Sequence, residues 1–285
     1  MNTIRKVTVI GAGNMGGAIA CGMAKGSVIR PEDITVTART PASLDRIRAV
    51  YPEITVFTDN RTAVGGADLI IIAVKPWQIE SVVEEIRGCV EPGRTVIASV
   101  VAGVAFRQLS SMFYPVLAEE DAGGSGRQNA QERLPMYRII PNTAVSIGCS
   151  TTFIASEAGP DCAGDAIGRQ IDAIFREMGD VLWVEENMLD AGMALASCGI
   201  AYALKYMEAS IRGGIGLGFT EEEARRAVIG TVEGAVSLLK SEGSMPAREI
   251  DKVTTPGGYT FKGLKAMEDN GFSESVIAGL NASCK

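Results

Sequence analysis

The stretch that most narrows what this chain can fold into is Val7-Thr-Val-Ile10, followed at once by Gly11-Ala-Gly13-Asn-Met-Gly16 and Gly17-Ala-Ile-Ala-Cys-Gly-Met-Ala24. A β-branched run, a glycine turn and a run of small and apolar residues spell strand, turn, helix. A GxGxxG pattern means little alone. Closing a strand and opening a helix, it is the fingerprint of a dinucleotide-binding βαβ unit. The first glycine permits the tight turn, the second lets a pyrophosphate touch backbone, and the third lets helix and strand pack closely. Gly11, Gly13 and Gly16 are therefore candidate cofactor residues.

Ile34-Thr-Val-Thr37 supplies the next strand. A site for NAD normally places Asp or Glu at that strand's end, on the ribose 2′-hydroxyl. Here Thr37-Ala-Arg-Thr40 offers no carboxylate, and Arg39 between the hydroxyls of Thr37 and Thr40 suits a 2′-phosphate, which a guanidinium can grip with two parallel bonds. NADP is the expected cofactor, NADPH being preferred over NADH. Further strands are expected at 54–57, 68–74 and 94–101, with helices between them, notably 76–87. That alternation implies a parallel, doubly wound sheet. Leu69-Ile-Ile-Ile-Ala-Val74 is apolar without alternation, as a central strand covered on both faces should be. Its end carries Lys75, at the carboxyl edge of the sheet where ligands bind in such folds.

Residues 119–133 have almost nothing to bury and read as a surface insertion. Order returns with Tyr137-Arg-Ile-Ile140, then the polar turn Pro141-Asn-Thr143. Strands at 151–155 and 181–184 extend the same sheet around a helix near 161–178. After Glu186 the strand signals stop. The expected division is a nucleotide-binding domain over 1–185 and a helical domain over 186–285. Asn187 to Arg212 is apolar around most of a helix's circumference and must be covered on all sides, so a homodimer through this region is expected. Gly213-Gly214 and Gly216 to Gly218 are read as the end of that helix, and Thr220 with Glu223 as the capping box of the next.

Near the far end lies Val253-Thr-Thr-Pro-Gly-Gly-Tyr-Thr260. Pro256 fixes φ for a tight turn, Gly257 and Gly258 can take positive φ, and Thr260 is placed as the cap of a following helix. Free backbone N–H groups at the positive end of a helix dipole make an anion site.

The net charge of −7 argues against a nucleic-acid partner or an anionic membrane surface, and no apolar run is long enough to span a bilayer. Six scattered cysteines without a CxxC pair and the absence of histidine leave no common zinc spacing, so no metal is expected. A soluble, cytoplasmic protein is the expectation. Without histidine, reduction of a ketone lacks its usual proton donor. Reduction of a carbon–nitrogen double bond is easier, because a protonated iminium is already electrophilic and yields a neutral amine. Thr254, Thr255 and Thr260, with the turn's N–H groups, suit a small imine bearing a carboxylate.

Taken together, Ile10-Gly-Ala-Gly-Asn-Met-Gly16, Ala73-Val-Lys-Pro76, Pro141-Asn-Thr143 and above all Val253 to Thr260 followed by Gly263-Leu264 resemble the pyrroline-5-carboxylate reductase family. The resemblance implies an N-terminal Rossmann domain and a C-terminal helical dimerisation domain, assembled in some members into larger rings. It implies reduction of 1-pyrroline-5-carboxylate to L-proline with NADPH or NADH, the last step of proline biosynthesis. Asn14, Met15, Ala73 and Asn142 join the cofactor residues through it. Thr260 is implied to bond the ring nitrogen, while Thr255, Gly257 and Gly258, flanked by Val253 and Thr254, hold the carboxylate. The chain departs from the family at Ser197-Cys-Gly-Ile-Ala-Tyr202, where Gly-Ser-Gly-Pro-Ala-Tyr is usual, and at Ile140, where Met is preferred. The Pro246…Ile250…Val253 register also differs by one residue. The alternatives are a reductase of another cyclic imino acid and a non-catalytic NADP-binding protein. A β-hydroxyacid dehydrogenase would want a Lys with an Asn four residues later, and Lys205 is followed by Ala209.

Overall fold

The computed structural model describes residues 3–115 and 133–284. The expected insertion at 119–133 lies, apart from Arg133, outside the described residues. By its contacts the chain separates into two compact units, Met1–Ser197 and Cys198–Lys285.

In the first unit, β1 (Val7–Ile10) leads into α1 (Asn14–Lys25), then β2 (Ile34–Thr37), α2 (Pro41–Val50), β3 (Thr55–Phe57) and α3 (Asn60–Val64). β4 (Leu69–Ile72), α4 (Ile79–Ile86), β5 (Val96–Ser99), α5 (Phe106–Phe113), β6 (Met136–Ile140), β7 (Ser150–Ser156), α6 (Ala166–Arg176) and β8 (Gly179–Trp183) follow. The strands form one sheet in the order β3-β2-β1-β4-β5-β6-β7-β8. Every neighbouring pair is parallel except β6 and β7, which run antiparallel with Ile139 opposite Ile154. That reversal departs from an all-parallel sheet. β6 and β7 are joined by residues 141–149, too short for a helical crossover, so β7 must return beside β6 in the opposite sense.

The central strands are apolar on both faces because both are covered. Val7, Val9, Leu69 and Ile71 pack with Ile19 and Met23 of α1 and with Ile171 and Phe175 of α6. Ile10, Ile70 and Ile72 point the other way, onto Val83 and Ile86 of α4 and Phe106 and Leu109 of α5. The period of two along each strand thus feeds two cores, which is the doubly wound architecture. At the amino end of β4, the Asp68 carboxylate accepts the backbone N–H groups of Arg5 and Lys6 and the Arg94 guanidinium, each within 3.0 Å.

Past β8 the chain becomes helical: α7 (Leu189–Gly192), a π-helical turn at Met193–Cys198, and α8 (Gly199–Gly216). The helix ends at Gly216, within the expected glycine stretch, and passes through Gly213-Gly214 on the way. A glycine inside a helix lowers its propensity without ending it, and Gly214 lets α9 approach: a Cβ there would lie 3.0 Å from that of Ala224. α9 (Glu221–Glu242) opens on the expected capping box, with Thr220 and Glu223 bonding each other's backbone N–H. α10 (Pro246–Val253), α11 (Tyr259–Asp269) and α12 (Phe272–Ser283) complete the second unit. Tyr202 of α8 donates its hydroxyl to the Gly279 carbonyl of α12 at 3.1 Å. Much of this unit's apolar surface is open: Leu204, Leu217, Phe219, Phe261 and Ile277 are all exposed.

The cap of α11 corrects one expectation. Gly258, not Thr260, is the N-cap, and Thr260 sits one residue inside the helix. The reason is the turn ahead of it. Gly258 N–H donates to the Thr255 carbonyl at 2.9 Å and Gly257 has φ +71°, a type II turn with Pro256 and Gly257 at its centre. Only Gly257 takes positive φ; Gly258 is extended, with φ −70° and ψ 178°.

Candidate functional site

In an open parallel sheet the strand order reverses at one point, and loops leaving adjacent strands there diverge to opposite faces, opening a crevice. Here that point lies between β1 and β4. A groove of about 1120 Å³ opens at the carboxyl ends of these strands. Gly11, Gly13, Asn14, Met15, Arg39, Thr40, Ala73 and Lys75 all line it. Gly16 and Asn142 stand outside its wall.

The three glycines divide the work as their spacing suggests. Gly11 has φ +106°, and a Cβ there would lie 2.7 Å from the Ala73 carbonyl oxygen. Its N–H and that of Ala12 both donate to the Thr37 carbonyl, at 3.0 and 2.8 Å, tying the turn to β2. A Cβ on Gly16 would collide with the Gly11 carbonyl oxygen, so this glycine lets α1 sit against the turn. Gly13 is different: a Cβ there would meet no protein atom within 4 Å. It caps α1 with no side-chain bond, so the helix presents its first amides and its positive end to the groove. These features fit a pyrophosphate on bare backbone.

At the β2 end, Arg39 and Thr40 are exposed. Thr40 caps α2, and its hydroxyl lies 3.3 Å from that of Ser43. Thr37, expected beside a 2′-phosphate, lines the groove with its hydroxyl bonded to a neighbour. It is buried, and its hydroxyl donates to Asn60 Oδ1 at 2.7 Å. Asn60 Nδ2 in turn donates to Glu85 Oε2 at 2.9 Å. Asn60 and Glu85 line the groove and were not singled out from the sequence. Lys75 is exposed at the end of the loop after β4, its backbone N–H donating to Gln78 Oε1 at 3.3 Å.

The opposite end of the groove is walled by Val100 and Val101 after β5, Ile140 and Pro141 at the end of β6, and Met193 and Ser197 of the π-helical turn. Ser197 Oγ donates to the Pro141 carbonyl at 2.8 Å. In the sequence Ser197 stands out only as a departure from a family pattern; its partner lies 56 positions away along the chain. Asn142 is buried, with its Oδ1 accepting the Ala144 N–H at 3.0 Å and its own N–H donating to Ser150 Oγ at 3.2 Å. Arg138 of β6 is buried too and pairs with Glu186 at 2.9 Å, fixing the strand that carries this wall.

In the second unit, the Val253–Thr260 turn is open to solvent. Val253, Thr255, Gly257 and Thr260 are exposed, and Thr254 and Gly258 are partly covered. Thr254 Oγ1 donates to the Ile250 carbonyl at 2.7 Å, closing off α10. A Cβ on Gly258 would come within 2.5 Å of Thr255 Oγ1, so the Thr255 hydroxyl lies over the glycine. The N-cap Gly258 makes no side-chain bond to the first turn of α11, whose N–H groups have no partner within the helix.

Comparison with known proteins agrees with both halves. A family model described as "Pyrroline-5-carboxylate reductase dimerisation" matches residues 186–285, and one described as "NADP oxidoreductase coenzyme F420-dependent" matches residues 6–103. Pyrroline-5-carboxylate reductase 2 of Dictyostelium discoideum is 30% identical over 99% of this chain and 91% of its own length. Pyrroline-5-carboxylate reductase 1 of the same organism is also 30% identical over 97% of this chain, which spans 48% of that longer protein. A solved pyrroline-5-carboxylate reductase from Coxiella burnetii superposes with a TM-score of 0.82 at 27% identity, covering 99% of this chain and 97% of that one. A nucleotide groove of this build, a threonine-and-glycine turn ahead of a helix, and likeness along nearly the whole length lead to one assignment: the chain belongs to the pyrroline-5-carboxylate reductase family.

Proposed function

We propose that this protein reduces 1-pyrroline-5-carboxylate to L-proline with a nicotinamide dinucleotide, the closing step of proline biosynthesis. The observation that carries the reading is the pairing of two built features in one chain. One is a groove whose Gly13 leaves bare backbone at a helix start. The other is a type II turn that presents hydroxyls and amides around Thr260.

The bound dinucleotide supplies the hydride. Gly11, Gly13, Asn14 and Met15 hold its pyrophosphate on backbone amides, and Arg39 with Thr40 receives the 2′-phosphate, favouring NADPH. Ala73 and Lys75 line the path between the two nucleotide halves, and Asn142 braces the Pro141–Thr143 turn. Val100, Val101, Ile140 and Met193 give the nicotinamide half an apolar wall that keeps water from the reacting carbon. Thr255, Gly257 and Gly258 bind the substrate carboxylate, with Val253 and Thr254 setting the turn's position. Thr260 Oγ1 hydrogen-bonds the ring nitrogen and orients the carbon–nitrogen bond. The iminium nitrogen keeps its proton as the new carbon–hydrogen bond forms, so no alkoxide arises and no histidine is required. The open apolar surface of the second unit is covered by a second copy of the chain.

The direct test is to mix the purified protein with NADPH and 1-pyrroline-5-carboxylate. Loss of the nicotinamide absorbance with L-proline formed in equal amount is expected. NADPH binding without turnover on this imine would overturn the reading in favour of another cyclic imino acid or a nucleotide-binding protein.

A further inference from the structure

We propose that Glu85 limits how strongly this groove favours NADPH over NADH, by placing a carboxylate charge at its adenosine end. The inference rests on the groove holding a nicotinamide dinucleotide. The end of β2, where an acidic residue normally reads the ribose, carries none in Thr37-Ala-Arg-Thr40. The fold supplies one from elsewhere. Thr37 at the end of β2 donates to Asn60 Oδ1 at 2.7 Å, and Asn60 Nδ2 donates to Glu85 Oε2 of α4 at 2.9 Å. All three residues line the groove, as does Arg39.

This relay has a fixed polarity. With Oδ1 accepting from Thr37, the Asn60 amide must turn its nitrogen toward Glu85, and one amide hydrogen remains free. Glu85 is only partly buried. Neither Glu85 nor Arg39 takes part in any ion pair formed among the described residues. Alongside the Lys75 ammonium, the groove therefore carries one guanidinium and one carboxylate, neither in an ion pair among the described residues. A 2′-phosphate brings a charge of about −1.5 to −2, drawn to Arg39 and opposed by Glu85. A 2′-hydroxyl brings no charge and can donate to a carboxylate or accept from the free Asn60 amide hydrogen. Arg39 thus favours NADPH and Glu85 reduces the margin, leaving NADH usable.

The test is direct binding of NADPH and NADH, read from nicotinamide fluorescence at fixed ionic strength, for the wild type, Glu85→Gln and Arg39→Ala. Glu85→Gln keeps an oxygen for Asn60 and removes only the charge. It should raise the NADPH-to-NADH preference about fivefold, the size of one solvent-exposed charge interaction, mainly through tighter NADPH. Arg39→Ala should lower it by about the same factor. Glu85→Ala, with folding checked by circular dichroism, gives the same reading if the glutamine variant does not fold. An unchanged ratio, or equal weakening of both nucleotides, would show that Glu85 only braces Asn60 and would overturn the proposal. Binding needs no substrate, so a protein that binds both nucleotides but reduces no imine would sink the reductase reading and leave this ratio intact. A wild type that binds neither overturns both.

Discussion

Gly13 and Gly16 are three residues apart and chemically identical, yet the structure gives them opposite reasons to be glycine. A Cβ on Gly13 meets nothing of the protein, whereas one on Gly16 strikes the Gly11 carbonyl oxygen. Gly13→Ala should therefore fold with unchanged stability and bind NADPH at least about tenfold more weakly, because the added methyl occupies the pyrophosphate's place. Gly16→Ala should cost about 1 to 3 kcal/mol of stability through overpacking. Chemical denaturation and nucleotide titration of the two variants separate these effects, and a shared phenotype would contradict the assignment. Thr260→Ala should lower kcat roughly a hundredfold, as removal of the hydroxyl that accepts the iminium N–H and positions the reacting bond does, and leave NADPH affinity unchanged. Loss of NADPH binding instead would place this residue in the wrong half of the site.

Among the elements, the π-helical turn at Met193–Cys198 runs into the Ser197–Tyr202 stretch, where the resemblance would set a proline at Ile200, a residue of α8. In that turn the Ser197 hydroxyl donates to the Pro141 carbonyl. Ser197→Ala should cost about 1 kcal/mol, the net worth of one hydrogen bond, seen as a lower urea midpoint. An unchanged midpoint would mean that the bond contributes nothing. Asp68 joins β1, β4 and the start of β5. Burial pushes its carboxyl pKa up, but the N–H groups of Lys6 and Arg5 and the Arg94 guanidinium outweigh this and hold it below the ordinary value. A depressed folded-state pKa contributes stability that is present above the unfolded value of about 3.9 and lost as pH falls through the folded one. Asp68→Asn should therefore be less stable than the wild type at pH 7. The difference should shrink as pH falls below about 4; a gap independent of pH would show that the charge is not what matters.

What could be read ahead of the structure followed from how local each signal is. The strand, glycine turn and helix at 7–24 were legible because period and glycine chemistry act within a few residues. The antiparallel β7 was not, since alternation carries no direction. Thr260 was misplaced as a cap because the preference for Ser or Thr there gives way when a type II turn commits Gly257 and Gly258 first. Glu85 was invisible for another reason: its link to Thr37 passes through Asn60 across separations of 23 and 25 positions.

At the scale of the whole molecule, the exposed apolar residues of the second unit, among them Leu217 at 83% exposure, are more than a stable soluble surface tolerates. Sedimentation should give at least twice the chain mass of 30.0 kDa, and a monomer at micromolar concentration would contradict the dimer. The proposed reaction moves a hydride from a nucleotide in the groove onto a carbon–nitrogen double bond. It is tested most directly by supplying NADPH deuterated on the transferring face of C4 and weighing the product. L-proline carrying one deuterium, on the carbon of the former double bond, is the expected product. Unlabelled proline, or consumption of the nucleotide with no proline formed, would contradict it.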